Sequence, residues 1–211
     1  AVLKVLGIPC QNEGDYLPVA VATANLGTRV VLPPQSTSQV ASGVLMAMGT
    51  IPERVEVDNL PTSSGGYLQL TLQIMQHFGV TWREAKPGKL SKPAGGLYHA
   101  AEFCCEADWS AAALLIAGAA IGGELILYGL NPESLQPDKA ILEVCRGVGV
   151  ECVFNGEALW VRGVENAKEL RPFDYDIGGC PDLAPALAVL ASLIPEESCI
   201  RGIARLANKE S

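Results

Sequence analysis

Apolar residues along this chain recur in two rhythms. One is amphipathic and helical. Leu70, Leu72, Ile74, Met75 and Phe78 carry much of one apolar side, and Ile141, Leu142, Val144, Cys145 and Val148 carry another, as expected of helices that bury a single stripe. Leu6-Gly7-Ile8, Phe78-Gly79-Val80 and Val148-Gly149-Val150 close three such helices, because a glycine just past the last turn is the usual left-handed stop. The second rhythm is a run of small apolar residues behind a polar start. It predicts helices over Ser38 to Met48, 110–120 and 182–191. Short apolar strands are expected after these helices at 55–57, 125–128 and 199–203, and β-rich stretches before them at 29–32, 99–104 and 173–177. Within the second copy, 111–120 reads as a buried helix, Gly122-Gly123 as its stop and 125–128 as a buried strand.

The two rhythms combine into a repeat. The closing glycines Gly7, Gly79 and Gly149 stand 72 and 70 residues apart. One unit reads strand, helix, strand, helix, strand, strand. The chain carries the tail of one unit (1–26), two whole units (27–97 and 98–172) and the start of a fourth. Repetition at this period governs the architecture, and strands alternating with helices predict an α/β fold with parallel pairings. The chain opens at Ala1 and stops in mid-unit, which is the expectation for a fragment.

Composition narrows the function. Of 211 residues, 49% are apolar and 18% charged, which allows a sizeable core and excludes a disordered tail. The net charge of −8, from 15 Lys+Arg and 23 Asp+Glu, argues against nucleic acid, whose phosphates need a basic face, and weakly against an anionic membrane. The apolar run 111–130 is interrupted by Glu124 and by Gly118, Gly122, Gly123 and Gly129, so no membrane span is expected. The seven cysteines include no C-x-x-C pair and read as reduced, mostly buried thiols of a cytoplasmic protein. No signal-peptide pattern is visible at the N-terminus. His77 and His99 are far apart in sequence with no ligand partners at metal spacing, so no metal is assigned, and no cofactor motif is present.

Polar clusters recur at helix starts. They are Gln35-Ser36-Thr37-Ser38-Gln39, Thr62-Ser63-Ser64-Gly65-Gly66-Tyr67, Glu106-Ala107-Asp108-Trp109-Ser110 and Cys180-Pro181-Asp182. Hydroxyls and first-turn amides make such ends natural anion sites. The same residues also serve as ordinary helix caps, and the third cluster also as a domain joint. The C-terminal Lys209-Glu210-Ser211 places a cation and a carboxylate where a further helix would begin.

Taken in order, these clusters resemble the enolpyruvyl transferase family, in its branch acting on shikimate 3-phosphate. Thr37-Ser38-Gln39 resembles that branch's Ser-Ser-Gln, and Ser64 with Tyr67 and Thr71 its Ser-x-x-Tyr-x-x-x-Thr. Glu106-Ala107-Asp108 with Ser110 resembles its Glu-Gly-Asp-x-Ser, and Gln136-Pro137-Asp138 its Gln-Gly-Asp. Pro181-Asp182 and Lys209-Glu210-Ser211 resemble its Pro-Asp and Lys-Glu-Ser/Thr. The resemblance implies βαβαββ units in an inside-out α/β barrel, with two domains hinged about a cleft. Residues 1–104 would belong to one domain and 105–211 to the other, with the crossing near 102–108. It implies transfer of the enolpyruvyl group of phosphoenolpyruvate to the 5-hydroxyl of shikimate 3-phosphate, releasing phosphate, without a cofactor, by an enzyme that is a monomer when full length. Thr37, Ser38 and Ser64 would bind the substrate phosphate, Gln39 would touch both ligands, and Tyr67 would pack near the ring. Asp182 would take or orient the hydroxyl proton, Lys209 would bind an anion, and Glu210 would shuttle a proton at the methylene carbon.

The departures matter. Thr37 replaces a Ser but keeps the hydroxyl, Gly65-Gly66 replaces the commoner Lys-Pro, and Arg205 stands where many members have Asn. The family's Lys-Ser…Arg segment, its phosphoenolpyruvate arginine and its later arginines have no counterpart here, so the fragment alone is expected to be inactive. Two other readings stay open. One is the sister transferase acting on UDP-N-acetylglucosamine, disfavoured by the shikimate-type Thr37-Ser38-Gln39 and Lys209-Glu210-Ser211. The other is a non-catalytic α/β repeat scaffold whose polar clusters are only caps.

Overall fold

A computed structural model of the chain describes residues 2–12, 18–22, 24–34, 36–61 and 65–208. It divides into two compact units, Ala1–Glu102 and Phe103–Ser211. Each has its own hydrophobic cluster.

The first unit begins with helix α1 (Val2–Val5) and an antiparallel pair, β1 (Cys10–Asn12) and β2 (Val19–Val21). It continues with β3 (Arg29–Val31), α2 (Ser38–Met48), β4 (Val55–Asp58), α3 (Gly65–His77), β5 (Arg83–Lys86) and β6 (Lys89–Lys92). This is the predicted order of strand, helix, strand, helix, strand, strand. The sheet runs β3-β4-β6-β5, with β3 parallel to β4 and the other pairs antiparallel.

Alternation explains which way the central strand faces. Val55 and Val57 are fully buried under the helices, and the intervening Glu56 and Asp58 point outward. There they meet Lys89, Arg54 and Arg29 in ion pairs of 2.6–3.6 Å. Ala41, Val44, Leu45 and Met48 of α2 fill the interior. From α3 only Leu68 and Met75 are buried. Leu72 packs against the same cluster while Leu70 and Ile74 are only half-buried, so the stripe read from the sequence holds at Leu72 and Met75 and misses Leu68.

Lys92 ends β6 with no exposed surface. Its ammonium donates to the carbonyls of Gly96, Pro93 and Glu53 at 3.0, 3.3 and 3.5 Å. Burial pushes the group down from the ordinary lysine range. The cage of carbonyls, with the Glu53 carboxylate acting against the burial cost, is what allows the charge to be buried.

The second unit contains α4 (Trp109–Gly118), β7 (Glu124–Tyr128), α5 (Ile141–Val148), β8 (Glu151–Asn155), β9 (Ala158–Arg162), β10 (Asp174–Asp176), α6 (Ala184–Leu193) and β11 (Cys199–Arg201). Its sheet β7-β9-β8 is wholly antiparallel, and β10 pairs in parallel with β11. Trp109, Ile116, Ile141, Leu159, Leu183, Leu187 and Leu190 are completely buried. Trp109 packs edge-on to Phe154. Gly163 follows β9 with its amide on the Gly123 carbonyl at 2.9 Å. A side chain there would run into the backbone of Ala119 and Ala120.

Several expectations fail in instructive ways. The stretch 99–104 is not a strand. Its approach is tied sideways instead: Tyr98 Oη donates to the Met46 carbonyl, His99 N to that of Phe78, and His77 Nε2 to that of Glu102. The strand at 125–128 is not buried. Ile126 and Tyr128 face outward, Tyr128 with 71% of its surface exposed, because helices cover only one side of this sheet. The strand at 199–203 stops at Arg201 and passes into a 3-10 turn, Ile203–Asn208. The thiols are free, but only Cys145 and Cys180 are buried, while Cys104, Cys105 and Cys199 are exposed. The predicted closing glycines do hold: Gly7, Gly79 and Gly149 all adopt left-handed φ of 70 to 103°.

Candidate active site

The first cluster opens α2. Thr37 is its N-cap, and the Thr37 hydroxyl accepts from Val40 N at 3.3 Å. The capping role weighed against an anion site is therefore occupied, but it uses only the oxygen's acceptor capacity. The hydroxyl proton stays available, as do the amides of Ser38 and Gln39, which have no acceptor among the described residues. A helix cannot satisfy its own first-turn amides, so this end presents donors and a positive dipole without any charged side chain. Ser38 is half-buried and Gln39 exposed.

Tyr67 lies in the first turn of α3, half-buried. Thr71 binds it to α2. Its hydroxyl donates to the Tyr67 carbonyl at 3.0 Å and meets Ser42 Oγ at 2.8 Å. Ser42 lies four residues past Ser38, and Thr71 four past Tyr67, so the link sits one turn inside each helix start. With β3 and β4 parallel, the two helices return side by side, and both starts fall at the C-terminal edge of that strand pair. At the same edge Asn59, left-handed at φ 62°, donates from Nδ2 to the Leu32 carbonyl at 2.7 Å. Asn tolerates that conformation better than a branched residue. Sequence reading missed Ser42 and Asn59. The usable signals were a hydroxyl inside an otherwise apolar helix and an Asn between a strand and a polar cluster. Ser64 lies outside the described residues.

In the second unit, Asp108 caps α4 by accepting from Ser110 N at 2.8 Å. Glu106 and Gln136, from two separate sequence motifs, come together. Gln136 Nε2 donates to Glu106 Oε1 and to the Ala107 carbonyl, both at 2.9 Å. Its Oε1 accepts from Trp109 N at 2.9 Å, and Ser134 Oγ donates to Glu106 at 2.7 Å. The other Glu106 oxygen is buried without a partner among the described residues. These motifs lock the entry to α4 against the loop before α5. Asp138 is buried at the start of the 3-10 turn Pro137–Ala140.

Asp182 is exposed in the 3-10 turn Pro181–Leu183 that leads into α6, so the helix expected from 182 begins at Ala184. Nearby, burial, with the charges of Asp138, Asp176 and Asp182, pushes the Cys180 thiol up to about 11, and burial chiefly pushes the Tyr175 phenol up to about 12. Lys209 and Glu210 lie outside the described residues.

A βαβαββ repeat in which two helices start at one edge of a parallel strand pair defines an α/β fold of the enolpyruvyl transferase kind. A family model for EPSP synthase (3-phosphoshikimate 1-carboxyvinyltransferase) matches residues 1–211. The chain belongs to that family. A 3-phosphoshikimate 1-carboxyvinyltransferase of Syntrophobacter fumaroxidans is 35% identical, across 100% of this chain and 50% of the relative. One of Aeropyrum pernix is 32% identical, across 99% and 48%. Among solved structures, an EPSP synthase from Acinetobacter baumannii superposes with a TM-score of 0.71 at 22% identity, covering 100% of this chain and 49% of that one. The enolpyruvyl transferase NikO from Streptomyces tendae gives 0.70 at 14%, covering 95% and 50%. The chain spans about half the length of the curated relatives it matches.

Proposed function

We propose that this chain contributes part of the active site of an enzyme that transfers the enolpyruvyl group of phosphoenolpyruvate to the 5-hydroxyl of shikimate 3-phosphate, releasing phosphate. The observation that carries the reading is the pair of helix starts at Thr37 and Tyr67, joined through Ser42 and Thr71, in a chain whose whole length matches the family. Thr37, Ser38 and Ser64 hold the substrate phosphate through hydroxyls and first-turn amides. Gln39 reaches both ligands, and Tyr67 packs beside the carbocycle. Asp182 accepts or orients the proton of the attacking hydroxyl, Lys209 binds a substrate anion, and Glu210 carries the proton to and from the methylene carbon. Positioned proton transfer of this kind contributes about 10²–10⁴-fold. The complete enzyme is a cytoplasmic monomer.

Two measurements test this. The 211-residue chain alone, given both substrates, should release no phosphate, because the cations expected to clamp phosphoenolpyruvate are not in it; turnover would overturn that claim. In the longer protein, Asp182→Ala should lower kcat at least about 100-fold with little change in folding. Full activity in that variant would favour the scaffold reading, in which the polar clusters are caps alone.

A further inference from the structure

We infer that Asn59 is a positioning residue for phosphate recognition, acting through the Leu32 carbonyl to aim the segment that enters α2. The inference rests on the reading that the α2 start holds the substrate phosphate. Asn59 directly follows β4, and among the described residues it is the one non-glycine with a left-handed φ, at 62°. β4, β7 and β11 each come after the first helix of their copy. Gly129 follows β7 and Gly202 follows β11, left-handed at 79° and 78°. The exit from this strand thus takes the same turn in all three copies, and glycine supplies it at no steric cost. Only the first copy, whose helix start has the neutral Thr37 cap, places an asparagine there. Side chains are disfavoured in that region, Asn least, so an unforced exception points to a job for the side chain.

The strand ladder shows what that job is. β3 and β4 run parallel with Val31 opposite Asp58, so Leu32 stands opposite Asn59. The Leu32 amide continues the ladder, donating to the Asp58 carbonyl at 3.0 Å. In a regular parallel pair the Leu32 carbonyl would then accept from the amide of Leu60. That amide donates instead to the Gly88 carbonyl at 2.9 Å, because the turn at Asn59 swings the chain toward the hairpin of β5 and β6. Leu32 is buried at 1% exposure, so its carbonyl would be left without a partner. Asn59 Nδ2 donates to it at 2.7 Å. The side-chain amide therefore replaces the ladder bond that the backbone gives away. Glycine could make the turn but not the bond.

Leu32 is thus gripped by both its backbone groups at the point where the chain leaves the sheet for α2. Pro33 and Pro34 follow. Neither has an N–H to pair with β4, and both have a fixed φ, so the direction of the segment is set at Leu32. Ser36 closes the turn, its Oγ and N donating to the Pro33 carbonyl at 2.7 and 3.3 Å. Thr37, the cap of α2, comes next. The bond between Ser42 and Thr71 ties α2 to α3 one turn inside their starts. Asn59 ties the strand ends that lead into them.

The test uses the longer protein. Asn59→Gly keeps the left-handed turn and removes the donor. It should raise KM for shikimate 3-phosphate about five- to tenfold and leave kcat nearly unchanged, because the phosphate is gripped alike before and during the reaction. An unchanged KM, whether or not kcat falls, would overturn the inference and leave Asn59 a residue of the fold alone. Asn59→Asp keeps the size and tolerates the turn but sets an acceptor against the Leu32 carbonyl. Its KM should rise at least as far as that of Asn59→Gly, and a smaller rise would refute the donor role. Should Asn59→Gly fail to fold, the same split in Asn59→Asp decides, and failure of both to fold would overturn the assignment. Thr37→Asp reads the phosphate site itself. Normal affinity for shikimate 3-phosphate in that variant removes the site and the inference together. Weakened affinity there, beside an unaffected Asn59→Gly, removes the inference alone.

Discussion

The repeat is laid out in full at 27–97 and again at 98–172, and the two copies spend the same positions differently. At the start of its first helix the first copy has a neutral cap, Thr37, followed by the half-buried Ser38. The second copy has a charged cap, Asp108, followed by Trp109, which is fully buried. A carboxylate already sits on the positive end of α4, so that end has no room electrostatically for a phosphate. The end of α2 does. In the second copy the helix start is a core anchor, and in the first it is a neutral cap beside a half-buried hydroxyl. The sheets differ in the same sense. The outer face of the first is a lattice of Arg29, Asp58, Glu56, Lys89 and Arg54. That of the second carries exposed Ile126, Val153 and Trp160 in a groove of about 640 Å³, with charge only from Glu124, Glu151 and Arg162.

The most severe way to break the comparison is to remove the anchor. Trp109→Ala should destabilise the chain by about 3–5 kcal/mol, as expected for deleting a fully enclosed aromatic side chain. Ser38→Ala, at the corresponding helix position, should change it by well under about 1 kcal/mol. Urea unfolding reads both, and similar losses would mean that the two helix starts do the same job.

Exchanging the caps sharpens the contrast. Asp is as good an N-cap as Thr, so Thr37→Asp should leave stability nearly unchanged. In the longer protein it should weaken shikimate 3-phosphate binding by about 100-fold or more, since a like charge facing the phosphate costs several kcal/mol. The reciprocal Asp108→Thr should leave binding untouched. Calorimetric titration distinguishes them, and undiminished affinity in Thr37→Asp would remove α2 from the phosphate site.

A third change tests whether Glu106 and Gln136 are structural. Gln136→Ala strips donors from Glu106 and Ala107 and the acceptor from Trp109 N. It should cost about 1–3 kcal/mol, because the groups left behind are partly buried. A loss of activity without loss of stability would instead make this pair part of the chemistry.

The differences between the copies also explain what could be read in advance. The repeat, the closing glycines and the span of α2 were legible because they depend on local chemistry: small apolar residues, a polar start and a left-handed stop. The facing of β7 was not. Glu124-Leu125-Ile126-Leu127-Tyr128 alternates in direction but hardly in polarity, so the pattern cannot say that Ile126 and Tyr128 point to solvent. The segment 99–104 reads as a strand from its sequence but pairs with no strand among the described residues, and β-propensity cannot supply a partner. At the site, the hydroxyl clusters were visible one by one. Their joining through Ser42 and Thr71 was not, because those residues are 29 apart in sequence and meet only once β3 and β4 pair in parallel.

The smallest effect concerns the two sheet faces. In the first copy the hydrogen bond from Lys89 is the main cause holding the Glu56 carboxyl below its ordinary value of 4.5, with help from Arg54 and against burial. Burial pushes Asp58 up, but Arg29 and Lys89 together outweigh it and hold that carboxyl below 3.8. A carboxyl whose value falls on folding adds stability that is fully present above its unfolded value and disappears as pH drops through the folded one. Lys89→Met should therefore lower stability slightly at pH 7, and the difference should shrink as pH falls through the lowered folded values of the two carboxyls. The lattice is exposed to salt, so raising ionic strength at pH 7 should shrink the same difference. Unfolding both proteins from pH 2 to pH 7 checks the sign. A difference as large at pH 2 as at pH 7 would mean that Lys89 acts through its buried stem rather than its charge, and that the outer face of the first sheet is, like that of the second, held by packing.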